Sequence, residues 1–131
     1  MARRGGRDLE QLLRPLARAP RERSEGAGDN GALEAIWQVV CAIPRGRAST
    51  YGAVARAAGL PGRARLTGFA LRVAPREMSL PWHRVVGAGG RIVFPSGSRE
   101  HKEQARRLRA EGVAVTAGRI APSALTELDE P

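Results

Sequence analysis

The chain has 131 residues, with 22 Lys or Arg against 13 Asp or Glu for a formal net charge of +9, and Lys102 is its one lysine. A hydrophobic content of 42% excludes full disorder, and no apolar run nears the roughly 20 residues needed to cross a bilayer. One cysteine and two histidines exclude an intramolecular disulfide and the usual structural zinc site. The expectation is a cytoplasmic, monomeric domain with no membrane partner, no metal and no cofactor, whose arginines suit a polyanion.

Residues 1–30 hold seven arginines and five acids, punctuated by Gly5-Gly6 and Gly26-Ala27-Gly28. They read as a disordered, arginine-rich extension. A short amphipathic helix over Leu9, Leu12, Leu13 and Leu16 is limited by Pro15 and Pro20. From Leu33 the pattern turns periodic: Leu33, Ile36, Val40 and Ile43 fall at steps of three and four, which predicts a helix ended by Pro44. Cys41 lies in this helix and reads as a small buried hydrophobe. Arg45-Gly46-Arg47 is a basic turn. Thr50 is the N-cap of a second helix, Tyr51 to Ala58. Gly59-Leu60-Pro61-Gly62 breaks it, and a third helix follows from Arg63 to Ala74 with Leu66, Ala70 and Val73 on one face.

Two short helices across a glycine turn form a helix-turn-helix pattern, the second being the DNA reader. From Arg45 through Arg76 there are seven arginines and no acid. A merely solvated surface has no reason to exclude acids across such a pattern. Beyond Pro75, Pro81 to Val86 reads as a buried turn entering an extended segment, Gly87 to Gly90 as a turn, Arg91 to Phe94 as a second extended piece, and Pro95-Ser96-Gly97 as a loop. Ser98 caps a last helix, Arg99 to Glu111, with Ala105 and Leu108 inward and Gly112 at its C-cap. Val113 and Val115 alternate as a short strand. Residues 121–131 read as a frayed acidic tail. The intervening residues 31–120 make one domain, mainly α with short β segments, and residues 31–119 hold 15 basic and 5 acidic side chains.

The segment Leu80-Pro81-Trp82-His83-Arg84-Val85-Val86 resembles the active-site motif of the O6-alkylguanine-DNA alkyltransferases, proline-cysteine-histidine-arginine-valine, with tryptophan in the cysteine position. The resemblance extends over residues 33–120. It includes Ile43-Pro44-Arg45-Gly46-Arg47-Ala48-Ser49-Thr50-Tyr51-Gly52, then Ala64-Arg65-Leu66-Thr67-Gly68-Phe69-Ala70-Leu71-Arg72, and Arg109-Ala110-Glu111-Gly112. Tryptophan there is the mark of the alkyltransferase-like proteins, which bind alkylated guanine without accepting the alkyl group. The fold it implies is a single winged-helix-like helix-turn-helix domain of the alkyltransferase C-terminal type. The N-terminal domain of many transferases has no counterpart in residues 1–30.

By that resemblance there is no catalytic residue: Trp82, His83 and Glu111 occupy the positions of an inactive site. The residue chemistry agrees. Dealkylation needs a soft, activated nucleophile, and an indole offers only an N–H donor. The resemblance also places Tyr51, Arg65, Gly68, Ala70 and Arg72 on DNA. Arg65 is the finger that fills the gap left by an extruded base, Tyr51 crowds the phosphate beside the lesion, and Gly68 and Ala70 let the helix approach the minor groove. The lesion pocket is expected from Tyr51, Trp82, Val85 and Ser96. The partners implied are alkylated double-stranded DNA and nucleotide excision repair proteins. Taken singly, these residues have ordinary structural roles; their joint spacing sets them apart. The rivals are an active alkyltransferase using Cys41 or an unrecognised group, and a sequence-specific helix-turn-helix regulator.

Overall fold

A computed structural model describes residues 24–126. The leucine-rich helix expected over Leu9 to Leu16 and the last residues of the acidic tail lie outside them. The first helix, α1, runs Ser24–Cys41. Its buried residues Leu33, Ile36, Trp37 and Val40 follow the three-and-four spacing. It begins inside the stretch read as an extension. Residues 24–30 have no apolar periodicity to announce a helix, yet a packed helical nucleus propagates upstream at little cost per residue. Cys41, expected to be buried, is exposed at the helix end. The inward positions there are Val40 and Ile43, and partial desolvation of the Cys41 thiol still raises its pKa.

Strand β1 is Ser49–Thr50, and helix α2, Tyr51–Ala57, starts at once. Thr50 caps it, its hydroxyl accepting the Ala53 N–H at 3.0 Å. The turn through Gly59 and Gly62, both at positive φ, leads to α3, Ala64–Val73. Two long-range hydrogen bonds seat α3. Thr67 Oγ1 donates to the Tyr51 carbonyl at 3.1 Å, and Trp37 Nε1 donates to the Ala70 carbonyl at 2.8 Å. α1, α2 and α3 thereby share one core, closed by Leu80 and Val85.

After a single helical turn at Trp82–Arg84, strand β2, Val85–Val86, pairs in parallel with β1, Ser49 opposite Val85 and Thr50 opposite Val86. Helix α4, Arg99–Ala110, is capped by Ser98, whose hydroxyl accepts the His101 N–H at 3.1 Å. It ends in a Schellman motif: Gly112 N–H reaches Arg109 O, Val113 N–H reaches Leu108 O, and Gly112 takes φ +89°. Strands β3, Val115–Thr116, and β4, Arg119–Ile120, form a hairpin whose turn residues Ala117 and Gly118 both have positive φ. A second core of Ala48, Val86, Ile92, Leu108, Val113 and Ile120 packs beneath α4.

Three expectations change here. Arg91 to Phe94 is not a strand: Arg91 makes one isolated bridge to Arg119, and Ile92 N–H donates to Gly118 O at 2.8 Å. The strand after α4 holds Val115 but not Val113, which completes the helix cap, and its partner β4 was not anticipated. The acidic tail does not begin at 121. Ala124 is buried, Ala48 N–H donates to Ala124 O at 2.9 Å, and Thr126 N–H donates to Ala48 O at 2.8 Å. Two buried backbone groups of Ala48 need those partners, so the chain is fixed through residue 126. Among the described residues no helix is long and apolar enough to cross a membrane.

Candidate functional site

A cavity of about 600 Å³ opens between α2, α3 and the turn that carries Trp82, within the size range of small-molecule sites. Tyr51, the first residue of α2, forms one wall, and burial raises its pKa, so it remains a neutral phenol. Gly68, Leu71 and Arg72 present one side of α3, with Arg65 in the first turn of the helix and exposed. A Cβ added at Gly68 would meet nothing within 4 Å. Its small size therefore leaves room in the cavity and does not serve the chain's own packing.

Trp82 is the opposite wall. Phe94 meets its indole edge-on, with centroids 6.0 Å apart and planes at 90°, and the His83 ring is also edge-on at 6.4 Å. The Arg107 guanidinium lies over the indole, 5.6 Å from its centroid, a cation–π contact that steadies the ring. Arg107 is itself held by Glu103, whose carboxylate accepts from its Nε. Trp82 also borders a second, more polar hollow of about 480 Å³ lined by Arg76, Ser79, His83 and Arg107. The indole thus stands as a partition between an apolar chamber and a basic one.

Behind Trp82 lies a buried polar network. His83 Nε2 is 2.8 Å from Glu111 Oε2. Arg84 grips the same carboxylate through Nε at 3.1 Å to Oε1 and Nη2 at 2.8 Å to Oε2, while its Nη1 donates to the Ile43 carbonyl at 2.9 Å. Gly46 N–H donates to Oε1 at 2.9 Å. Gly46 holds φ +85°, a left-handed conformation that favours glycine. Glu111 caps the C-terminus of α4, where an acid opposes the helix dipole. Desolvation would raise its pKa, but the donors from Arg84, Gly46 and His83 outweigh it and hold the group at about 2.

His83 moves the other way. Burial lowers its pKa, and the neighbouring Arg84 and Arg107 add to this against the pull of Glu111. At neutral pH His83 is an uncharged imidazole. Its Nε2–H donates to the ionised Glu111, so Nδ1 carries the lone pair, and Nδ1 is buried with no partner. Gln104 fixes the segment by donating through Nε2 to the carbonyls of His83 and Val85 at 3.1 and 2.9 Å. The network can orient a base and accept a proton; the side chain next to it supplies no nucleophile.

Of the residues expected from sequence, Tyr51, Arg65, Gly68, Arg72 and Trp82 come together around one cavity, and His83 and Glu111 bond directly. Ala70, Val85 and Ser96 do not join them. Ala70 is fully buried on the inner face of α3, Val85 is fully buried in the first core, and Ser96 is exposed in its loop, outside the cavity lining. Ala70 follows Phe69 by one residue, a step of about 100° around a helix, so it cannot share the outward face. Val85 points inward because β2 is covered on both sides. The loop contributes Val93 and Phe94 to the cavity in place of Ser96. Arg84, Gln104 and Arg107 were missed. Arg84 stood within the quoted motif, whereas nothing in sequence distinguishes Arg107 from its neighbours. Among the described residues no group of three or more His, Cys, Asp or Glu could hold a metal ion.

The chain is 46% identical over 81 residues to a DNA base-flipping protein of Escherichia coli, covering 62% of this chain and 61% of that protein. It is 40% identical over 80 residues to alkyltransferase-like protein 1 of Schizosaccharomyces pombe, covering 61% and 74%. The alignment thus spans about three-fifths of the length of the first relative. Among solved structures, the S. pombe alkyltransferase-like protein in complex with damaged DNA containing O6-carboxymethylguanine superposes with a TM-score of 0.62 at 34% identity, covering 72% of this chain and 94% of that one. Residues 32–113, well over half of the chain, match the model of the 6-O-methylguanine DNA methyltransferase DNA-binding domain, and the chain belongs to that family.

Proposed function

We propose that the protein binds double-stranded DNA containing O6-alkylguanine, turns the damaged nucleotide out of the duplex into the Tyr51–Trp82 cavity, and holds it there without taking the alkyl group. The observation that carries this reading is the composition of the cavity wall. The His83–Glu111 pair is assembled as if to activate a neighbour, and the neighbour is the indole of Trp82, which has no electron pair to attack carbon. Cys41, the one cysteine, is exposed at the end of α1 and is not among the cavity's lining residues.

The steps follow from the arrangement. Arginines on α3 meet phosphates and bring the helix to the minor groove. Flipping costs a few kcal/mol and costs least where pairing is already weak; an O6-alkyl group removes the guanine N1–H and so weakens it. Arg65, at the cavity mouth and free of the core, enters the vacated stack, where a planar, permanently charged guanidinium suits the gap. The extruded base is received between Tyr51 and Trp82. Aromatic stacking of a base is worth about 1–3 kcal/mol, which offsets much of the flipping cost. The held complex is a monomer on DNA that marks the lesion for nucleotide excision repair proteins.

The test compares affinity for an O6-methylguanine duplex with that for the unmodified duplex, alongside incubation with DNA carrying a radiolabelled O6-methyl group. The expected result is tighter binding to the lesion with no label on the protein. Equal affinities, or stoichiometric label on the protein, would overturn the reading.

A further inference from the structure

Phe69 is one of two large hydrophobic side chains that stand exposed among the described residues, with 42% of its surface accessible. It lies on α3 four residues after Arg65 and three before Arg72, so all three share one helical face. The opposite face is the buried one, with Thr67 and Ala70. The Arg72 guanidinium lies over the Phe69 ring at 5.5 Å from its centroid. The ring also borders a shallow hollow of about 490 Å³ with Arg63, Arg65 and Leu66. Arg65 lines both this hollow and the Tyr51–Trp82 cavity. It therefore stands between them, and Phe69 is on the side away from the cavity.

A single exposed apolar residue is ordinary on a protein surface. This one differs in its setting. It is the sole aromatic ring on an acid-free helix face bordered by Arg63, Arg65 and Arg72, a face whose charge fits a phosphate backbone and whose apolar centre fits what lies between the phosphates. Proteins that open the minor groove pair arginines with an apolar wedge that leans on a base step and loosens its stacking.

We propose that Phe69 is such a wedge, packing against sugar and base edges of the minor groove on the far side of Arg65 from the extruded nucleotide. The proposal rests on the DNA-binding reading above. Phe69 loosens the step beyond Arg65, not the gap that Arg65 fills, and because it lines the hollow outside the cavity it contributes equally on damaged and undamaged duplexes.

The experiment measures affinity of full-length Phe69→Ala, Phe69→Leu and wild-type protein for plain and O6-methylguanine duplexes over a range of salt. The expected result is a loss of about tenfold for Phe69→Ala on both duplexes, with most affinity kept by Phe69→Leu. The thermal midpoint should be unchanged, because the ring is exposed, and so should the salt slope, because no charge is removed. In an Arg72→Ala background, Phe69→Ala should still lose affinity, which separates the wedge from a mere support for Arg72. Wild-type affinity for Phe69→Ala, or no further loss in the Arg72→Ala background, would overturn the proposal. A wild-type protein that lacks lesion preference would instead overturn the lesion reading, and the wedge would still be judged on the plain duplex.

Discussion

Glu111 ties three distant parts of the described chain together. Its carboxylate takes donors from Arg84, His83 and the Gly46 N–H, which join the end of α1, the Trp82 turn and the end of α4. Glu111→Gln removes the charge and leaves the Arg84 guanidinium partly buried without its counter-ion, a change that costs about 3–5 kcal/mol when a buried pair is broken. Chemical denaturation should show a loss in that range. Glu103→Gln, which breaks a surface pairing with Arg106 and Arg107, should leave the denaturation midpoint nearly unchanged. The pH dependence has a defined sign. The folded pKa of Glu111, about 2, lies below its ordinary 4.5, so its stabilisation is complete above 4.5 and is lost as pH falls toward 2. His83 is also depressed below its ordinary 6.5. The unfolded chain therefore binds its proton first, and stability begins to fall below pH 6.5. Denaturation midpoints from pH 7 to pH 3 should decline in these two stages, with the lower one absent in Glu111→Gln.

At the scale of elements, arginines serve in two distinct capacities. Arg65 reaches from its first turn at the mouth of the cavity, whereas Arg91 is an exposed residue at an isolated bridge beyond a glycine turn. Arg65→Ala should weaken binding to lesion duplex well beyond Arg91→Ala and should abolish unstacking of 2-aminopurine placed opposite the lesion. Similar losses in both variants would reduce Arg65 to one more phosphate contact. The four helices among the described residues were legible in the sequence because each carries its own local record: apolar spacing in α1, the Thr50 and Ser98 caps, the glycine break before α3 and the Gly112 stop after α4. The strands were legible only in part: Val85-Val86 and Val115 read as extended, but β1 and β4, each two residues long, are too short to show alternation, and the pairings are decided by segments distant in sequence. The start of α1 was hidden for a related reason, as helix can extend through polar residues once the packed part has formed. The site was legible where a residue's identity carries its chemistry, as with Trp82, His83 and Glu111. It was misread where facing matters: Ala70, expected on DNA, and Val85, expected in the pocket, are fully buried in the core, Ser96 lies outside the cavity lining, and Arg107 shows its role only when it is seen over the indole.

At the scale of the whole molecule, the described residues present a cationic surface around a cavity walled mainly by apolar groups. All seven arginines from Arg45 to Arg76 are exposed, and the first acid of that region is Glu77. Such a surface binds through phosphates and displaces their counter-ions, so log K should fall linearly with log salt by about 0.9 per phosphate neutralised. On the proposed reading the lesion enters a cavity walled mainly by apolar groups, so the ratio of damaged to undamaged affinity should change far less with salt than either affinity alone. Titrations at several ionic strengths check both. An affinity indifferent to salt would contradict the electrostatic half of the interface.

The parallel pairing of β1 with β2 also orders events in time. α2 and α3 are neighbours in sequence and can form from local contacts, but Trp82 is placed only when β2 reaches β1, and the Glu111 anchor comes from 65 residues beyond Gly46. Distant contacts close slowly, so the chamber is expected to form last. Thr50→Ala, which removes a local cap worth about 1 kcal/mol, should mainly slow folding, whereas Val86→Ala, in the late strand, should mainly speed unfolding; the two limbs of a chevron plot separate these outcomes. A chain caught before β2 docks already has its arginine-bearing helices but no indole wall, so the nascent protein would grip any DNA before it can tell damaged from sound.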